Sequence, residues 1–109
     1  MEKFVITKRT NGDFQFTLKA TNGERILTSE GYATKAGCEN GIDSVRTNVL
    51  NVARYERKVA VNGNYYFNLR AANGEIIGTS ELYESTAGRD NGIEAVKNNT
   101  PQATVEDLS

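Results

Sequence analysis

The residues best suited to chemistry recur as one short motif. Thr28-Ser29-Glu30-Gly31-Tyr32 and Thr79-Ser80-Glu81-Leu82-Tyr83 each bring a hydroxyl, a carboxylate and a phenol close together. Each motif falls where a β-like run gives way to a helix-like one. Side-chain oxygens would then gather beside the free N–H groups of a helix start, which can hold an anion. On that reading Ser29, Glu30 and Tyr32, with Ser80, Glu81 and Tyr83, form two equivalent ligand sites. They would serve a small polar molecule or a hydrolytic reaction. The alternative is structural: the serine and glutamate satisfy backbone groups at the turn and helix start, and the tyrosine covers the edge of the core. The structural reading is preferred, because strand-to-helix junctions need side-chain caps and the carboxylate repels anions.

Other chemistry is sparse. The chain has no histidine, the commonest general base and metal ligand. Its one cysteine, Cys38, rules out an intrachain disulfide and the usual structural zinc site. Cys38 lies near a helix start, which can lower a thiol pKa. It also falls on an apolar stripe, and the matching position of the second repeat is Arg89, so inert packing is expected. Neither GxxxxGK[ST] nor GxGxxG occurs. No cofactor or metal is implied. The net charge of −1 gives the molecule no general attraction to nucleic acid or anionic membranes. The N-terminus reads as no signal peptide, and no run approaches the ~20 apolar residues of a membrane span. The cytoplasm is the expected compartment.

The motif is duplicated because the whole chain is. Residues 11–48 align with 62–99 at a constant shift of 51, and 20 of the 38 aligned positions are identical. A unit of about 50 residues is at the low end of independent stability, so the repeats are expected to share one core within a single domain over 1–109. Repeat 1 covers about 1–53 and repeat 2 about 54–109. Asn-Gly pairs at 11–12, 22–23, 62–63 and 73–74 separate β-like runs, a strong hairpin signal. Each unit therefore reads as a three-strand meander.

Side-chain parity selects the loop length. A three-residue loop Thr10-Asn11-Gly12 sets Phe16 against Ile6 and Leu18 against Phe4. A two-residue loop would mix the faces. The same choice at Thr21-Asn22-Gly23 sets Ile26 opposite Leu18. One face then carries Phe4, Ile6, Phe14, Phe16, Leu18, Ile26 and Thr28, with Tyr55, Val59, Tyr65, Phe67, Leu69, Ile77 and Thr79 in the second unit. The other carries Arg9, Gln15, Thr17, Lys19 and Arg25, with Lys58, Tyr66, Asn68 and Arg70. Residues 34–48 and 85–99 read as helices capped by Thr34 and Ser85. Their stripes are Cys38, Ile42 and Val45, and Ala87, Ile93 and Val96. Gly41 and Gly92 inside them predict close approach of helix to sheet, and Asn40 and Asn91 read as buried amides satisfying loop backbone. A fourth strand is expected after each helix, with 52–57 merging into the second unit and tying the half-sheets together.

The pattern NGExIxTSExYxxxAGxxNGIxxV at 22–45 and 73–96, with Val105-Glu106-Asp107-Leu108 near the end, resembles the YegP-like family of small bacterial proteins. The resemblance covers nearly the whole chain. It implies β(3)-α-β units, single or in tandem, in one sheet with exchanged C-terminal strands. Single-unit members would pair as the tandem form does. Gly37 and Gly88, where the family often has alanine, weaken the helix starts. No activity is established for the family, so no site residues carry over.

The expected fold is α+β: tandem pseudo-two-fold units forming a single antiparallel sheet, with two helices on one face. The expected function is a non-enzymatic binding or accessory module acting as a monomer. Lys19, Arg25, Lys58, Tyr66 and Arg70 on the polar sheet face would meet a protein or other anionic partner. Single-stranded nucleic acid is a weaker possibility, because Tyr66 alone offers little stacking.

Overall fold

The Asn-Gly turns close as the parity argument requires. Arg9 N–H donates to the Asp13 carbonyl and Gly12 N–H to the Arg9 carbonyl, with Gly12 at φ 92°. That left-handed conformation favours glycine. The computed structural model describes residues 2–109. Its elements are β1 (Lys3–Lys8), β2 (Phe14–Lys19), β3 (Arg25–Thr28), α1 (Lys35–Asn48), β4 (Tyr55–Val59), β5 (Tyr65–Arg70), β6 (Ile76–Ser80), α2 (Thr86–Asn99) and β7 (Thr104–Asp107). The strands form one seven-stranded sheet in the order β4-β5-β6-β3-β2-β1-β7. Ile6 faces Phe16 and Phe4 faces Leu18, as expected.

The pseudo-two-fold passes through the β3–β6 pairing, where Thr28 lies opposite Thr79, its own repeat mate. Helix α1 lies over β2, β5 and β6, and α2 over β3 and β5, so each helix spans both half-sheets. The shared core includes Phe4, Phe16, Leu18, Cys38, Val45, Phe67, Leu69 and Val96. Thr34 and Ser85 cap their helices by accepting from the Gly37 and Gly88 N–H groups at 3.0 Å. These bonds satisfy donors that have no intrahelical partner.

Several expectations are corrected. The sheet is mixed, because β7 runs parallel to β1 while every other pairing is antiparallel. The half-sheets join through β3 and β6, not through the segment after α1. Val52–Arg54 is a 3-10 turn, and β4 lies at the far edge. Leu27, not Ile26, faces Leu18. A register shift between Leu18 and Lys19 makes Ile26 an extra residue, so Ile26 and Leu27 both enter the core. The second unit repeats the shift at Leu69 and Arg70. Such a bulge reverses the parity beyond it, so Thr28 and Thr79 lie on the polar face. Asn40, Asn91 and Ala87 are exposed. The buried amide of α1 is Asn48, which donates to the Ser44 carbonyl and accepts from Arg54 Nε.

Candidate functional site

The serines of the repeated motif are fully engaged by backbone. Ser29 Oγ accepts from Phe16 N–H at 2.9 Å and donates to the Glu30 carbonyl at 2.8 Å. Ser80 Oγ does the same with Phe67 N–H and the Glu81 carbonyl, at 3.0 and 2.8 Å. The chain turns away from its neighbour at this point, and the hydroxyl takes the place of a ladder acceptor. Three residues later it returns: Phe14 and Tyr32 exchange both backbone bonds at 2.7 Å. Tyr65 and Tyr83 repeat the exchange.

The tyrosines lie between sheet and helix. The Tyr32 ring stacks on Phe16 at 6.2 Å between centroids. A Cβ at Gly41 would collide with the Tyr32 hydroxyl, and one at Gly92 with that of Tyr83. The helix glycines therefore make room for the phenols. Burial raises the Tyr32 pKa, with Cys38, Glu30 and Glu75 adding to the effect. Burial raises that of Tyr83 as well, helped by Glu81 and Glu24.

Those second glutamates, Glu24 and Glu75, come from the opposite repeat, which sequence reasoning missed. Each motif is one wall of a groove between repeats. A groove of about 570 Å³ places Glu24, Arg25 and Ile26 of repeat 1 against Glu81, Leu82 and Tyr83 of repeat 2. Its pseudo-symmetric mate, about 540 Å³, places Glu30, Gly31 and Tyr32 against Arg70, Glu75, Ile76 and Ile77. The available sequence signal was the repeated Asn-Gly-Glu of the hairpin. Among the described residues the four carboxylates form no ion pair, and no three acidic, thiol or imidazole groups converge as metal ligands. Cys38 is in the core, and burial pushes its thiol up to about 11. At neutral pH it is the protonated, weakly nucleophilic form.

The polar sheet face is ordered around one row that crosses all seven strands: Glu106, Val5, Thr17, Thr28, Thr79, Asn68, Glu56. Thr79 Oγ1 donates to Asn68 Oδ1 at 2.8 Å, and Asn68 Nδ2 donates to Glu56 at 3.1 Å. The Asn68 amide bond, followed by the Arg70 guanidinium, holds the Glu56 carboxyl below its usual pKa. On one side of this row Lys3 faces Lys19, and Lys19 faces Arg25. Lys58 faces Tyr66 farther along that side. Arg70 lies on the opposite side, tied to Glu56 at 2.9 Å and to the Gly74 carbonyl at 2.6 Å. The structure thus brings Lys19, Arg25, Lys58 and Tyr66 to one side and separates Arg70 from them.

The comparisons agree with this architecture. The family model described as a domain of unknown function, DUF1508, matches twice, at residues 10–56 and 60–107. A UPF0339 protein of Shewanella oneidensis is 54% identical over 106 residues, covering 97% of this chain and 96% of the relative. The YegP protein of Escherichia coli strain K12 is 50% identical over 104 residues, covering 95% and 94%. The solution structure of the Escherichia coli YegP protein, itself described as of unknown function, superposes with a TM-score of 0.93 at 48% identity. It covers 98% of this chain and 92% of that one. The solution structure of the Shewanella oneidensis protein gives 0.92 at 53% identity, covering 98% and 91%. The chain belongs to the DUF1508 family of UPF0339, YegP-like bacterial proteins, with two of its units in tandem.

Proposed function

We propose that this protein is a non-enzymatic binding module that docks an acidic segment of a protein partner on its polar sheet face, in the cytoplasm. The carrying observation is the run of cations Lys3, Lys19 and Arg25, set directly opposite one another on three adjacent strands. Like charges in cross-strand pairs are destabilising. Only Lys3 has a counter-ion among the described residues, Glu106 at 2.7 Å. Lys58 and Tyr66 extend the surface on the same side. A carboxylate-rich segment laid along this side relieves the repulsion, and electrostatic complementarity of this kind favours association rate and partner choice. The engaged hydroxyls of Ser29 and Ser80 and the buried thiol of Cys38 support a non-catalytic reading.

The test is titration of the full chain with a poly-glutamate peptide at low salt, followed by amide chemical shifts. Binding at Lys19 and Arg25 that falls with added salt, and is lost in Lys19→Glu/Arg25→Glu, fits the proposal. Undisturbed shifts on this face, or tighter binding of single-stranded RNA than of the peptide, would overturn it.

A second reading is favoured by the duplicated grooves. Glu30 with Tyr32 and Glu81 with Tyr83, each beside its engaged serine, line paired ligand sites completed by Glu75 and Glu24. Net negative walls point to a cationic small molecule rather than an anion.

A further inference from the structure

The two outer edges of the sheet are pseudo-symmetric mates, but only one is occupied. Beside β1 lies β7, in parallel: Thr104 N–H donates to the Glu2 carbonyl at 3.3 Å, and Leu108 N–H to the Ile6 carbonyl at 2.9 Å. Its acidic side chains reach basic ones, Glu106 to Lys3 at 2.7 Å and Asp107 to Lys35 at 2.8 Å. The shift of 51 carries Ile6 onto Arg57 and Lys3 onto Arg54. The matching edge is β4, which among the described residues pairs with β5 alone. Its hairpin closes on Ala60 N–H to the Asn64 carbonyl. Antiparallel ladders alternate, so the N–H and C=O groups of Arg57 and Val59 point outward. Among the described residues no second β7 meets them, because the chain leaving α1 passes through the Val52–Arg54 turn into β4 itself.

The side chains at this edge are more charged than those at the occupied one; one change is acidic, Val5 to Glu56, whose carboxylate is already held by Arg70 and Asn68, and the others are to cations. Where β7 covers, the residues are Ile6 and Cys38. At the open edge their mates are Arg57 and Arg89, which share one carboxylate, Asp90, at 3.1 and 3.4 Å. Arg54 donates from Nε to Asn48 and has no acidic partner among the described residues. Charges on an edge deter apolar strands, and with Arg54, Arg57, Lys58 and Arg89 against Glu56 and Asp90 the excess here is positive, which favours an acidic strand.

We propose that the β4 edge accepts an extended acidic segment of another protein, added in parallel as β7 is added to β1. Main-chain bonds would go to Arg57 and Val59, and carboxylates to Arg54 and Arg57. This is strand addition, in which backbone gives affinity and alternate side chains give selectivity. The site is separate from the Lys19 and Arg25 surface and does not depend on it.

The probe is the peptide Ala-Thr-Val-Glu-Asp-Leu-Ser, the chain's own 103–109 segment, supplied in trans to the isotope-labelled full-length protein. Amide shifts centred on Arg57 and Val59 are expected. Binding should weaken about tenfold in Arg54→Gln/Arg57→Gln, the equivalent of about 1.4 kcal/mol. It should persist in Lys19→Glu/Arg25→Glu, and a peptide with Lys-Lys in place of Glu-Asp should fail. Each variant's own spectrum verifies its fold. No shifts up to about 1 mM peptide, a weak limit for recognition, would overturn the proposal, as would shifts centred on β1. Shifts at Arg57 and Val59 that follow protein concentration alone would assign the edge to a second copy and equally overturn it.

Discussion

Ser29 occupies a position where a backbone N–H would otherwise be buried without an acceptor. Removing its hydroxyl leaves Phe16 N–H unsatisfied, which costs about 1–3 kcal/mol. Ser29→Ala and Ser80→Ala should each lower the urea midpoint by that order, with little change in slope. The helix glycines make a sharper case. Alanine at position 41 gains about 1 kcal/mol of helix propensity. Its Cβ would meet the Tyr32 hydroxyl and also Phe16 Cε2 at 3.0 Å. Tyr32 is pinned by its backbone exchange with Phe14, so it yields little. Overpacking of this kind costs about 1–3 kcal/mol, and Gly41→Ala should be net destabilising in chemical denaturation. Tyr32→Phe in that background should recover part of the loss. Close approach at Gly41 and Gly92 was legible in the sequence, because glycine inside a helix asks for a reason. The approaching group was not legible, since nothing in Tyr32 announces that its ring turns under the helix nine positions later. Asn40 was misread for a related cause: a helix interior does not say which of its residues face solvent.

Among elements, the central strands carry the least legible feature and the clearest test. Alternation along β3 breaks at Ile26 and Leu27, and the apolar pair resolves into a bulge with both side chains inward. Parity reasoning assumes no such insertion, so it held through β1, β2 and the second turn and failed past Arg25. Beside the pseudo-two-fold Leu27 lies opposite Ser80, and its side chain leans across the pairing onto its own repeat mate, Gly78. A Cβ at Gly78 would lie 2.6 Å from Leu27 Cγ and Cδ2. One large and one small residue therefore fill a space that admits one leucine. Gly78→Leu should overpack by about 1–3 kcal/mol, and Leu27→Gly should lose more, about 2–5 kcal/mol, to a cavity. Exchanging them, Leu27→Gly with Gly78→Leu, should restore much of the stability, as a strongly non-additive double-mutant cycle in urea.

The edge strand β7 has its own signature in acid. Lys35, followed by Ser109, holds the Asp107 carboxyl down at about 2. A depressed folded-state pKa contributes stability above the unfolded value, near 3.8, and loses it as the pH falls toward 2. Protection of the Leu108 amide, bonded to the Ile6 carbonyl, should therefore fall between about pH 4 and 2. In Asp107→Asn it should be weaker throughout and flatter across that range.

For the whole molecule, both helices bridge the half-sheets, and the buried core draws on both repeats. Helix α1 belongs to repeat 1 by sequence but covers β5 and β6 of repeat 2. The tandem pattern made the shared core legible. The route of the chain was not, because β-propensity in 52–57 is the same wherever that segment lies in the sheet. A fragment of residues 1–51 would need a partner half-sheet, and pairing with itself would set Leu27 against Leu27 on the pseudo-two-fold. It should remain without a cooperative thermal transition by circular dichroism. A fragment of residues 52–109 meets only Gly78 against Gly78 there, which removes the clash but leaves a gap, so any self-pairing should be weak. Mixing the two fragments at equal concentration should recover the sheet, because only the unlike pair presents one leucine to one glycine. A cooperative transition in 1–51 alone would refute the shared core, and a mixture no more structured than the sum of its parts would refute the pairing rule at Leu27 and Gly78.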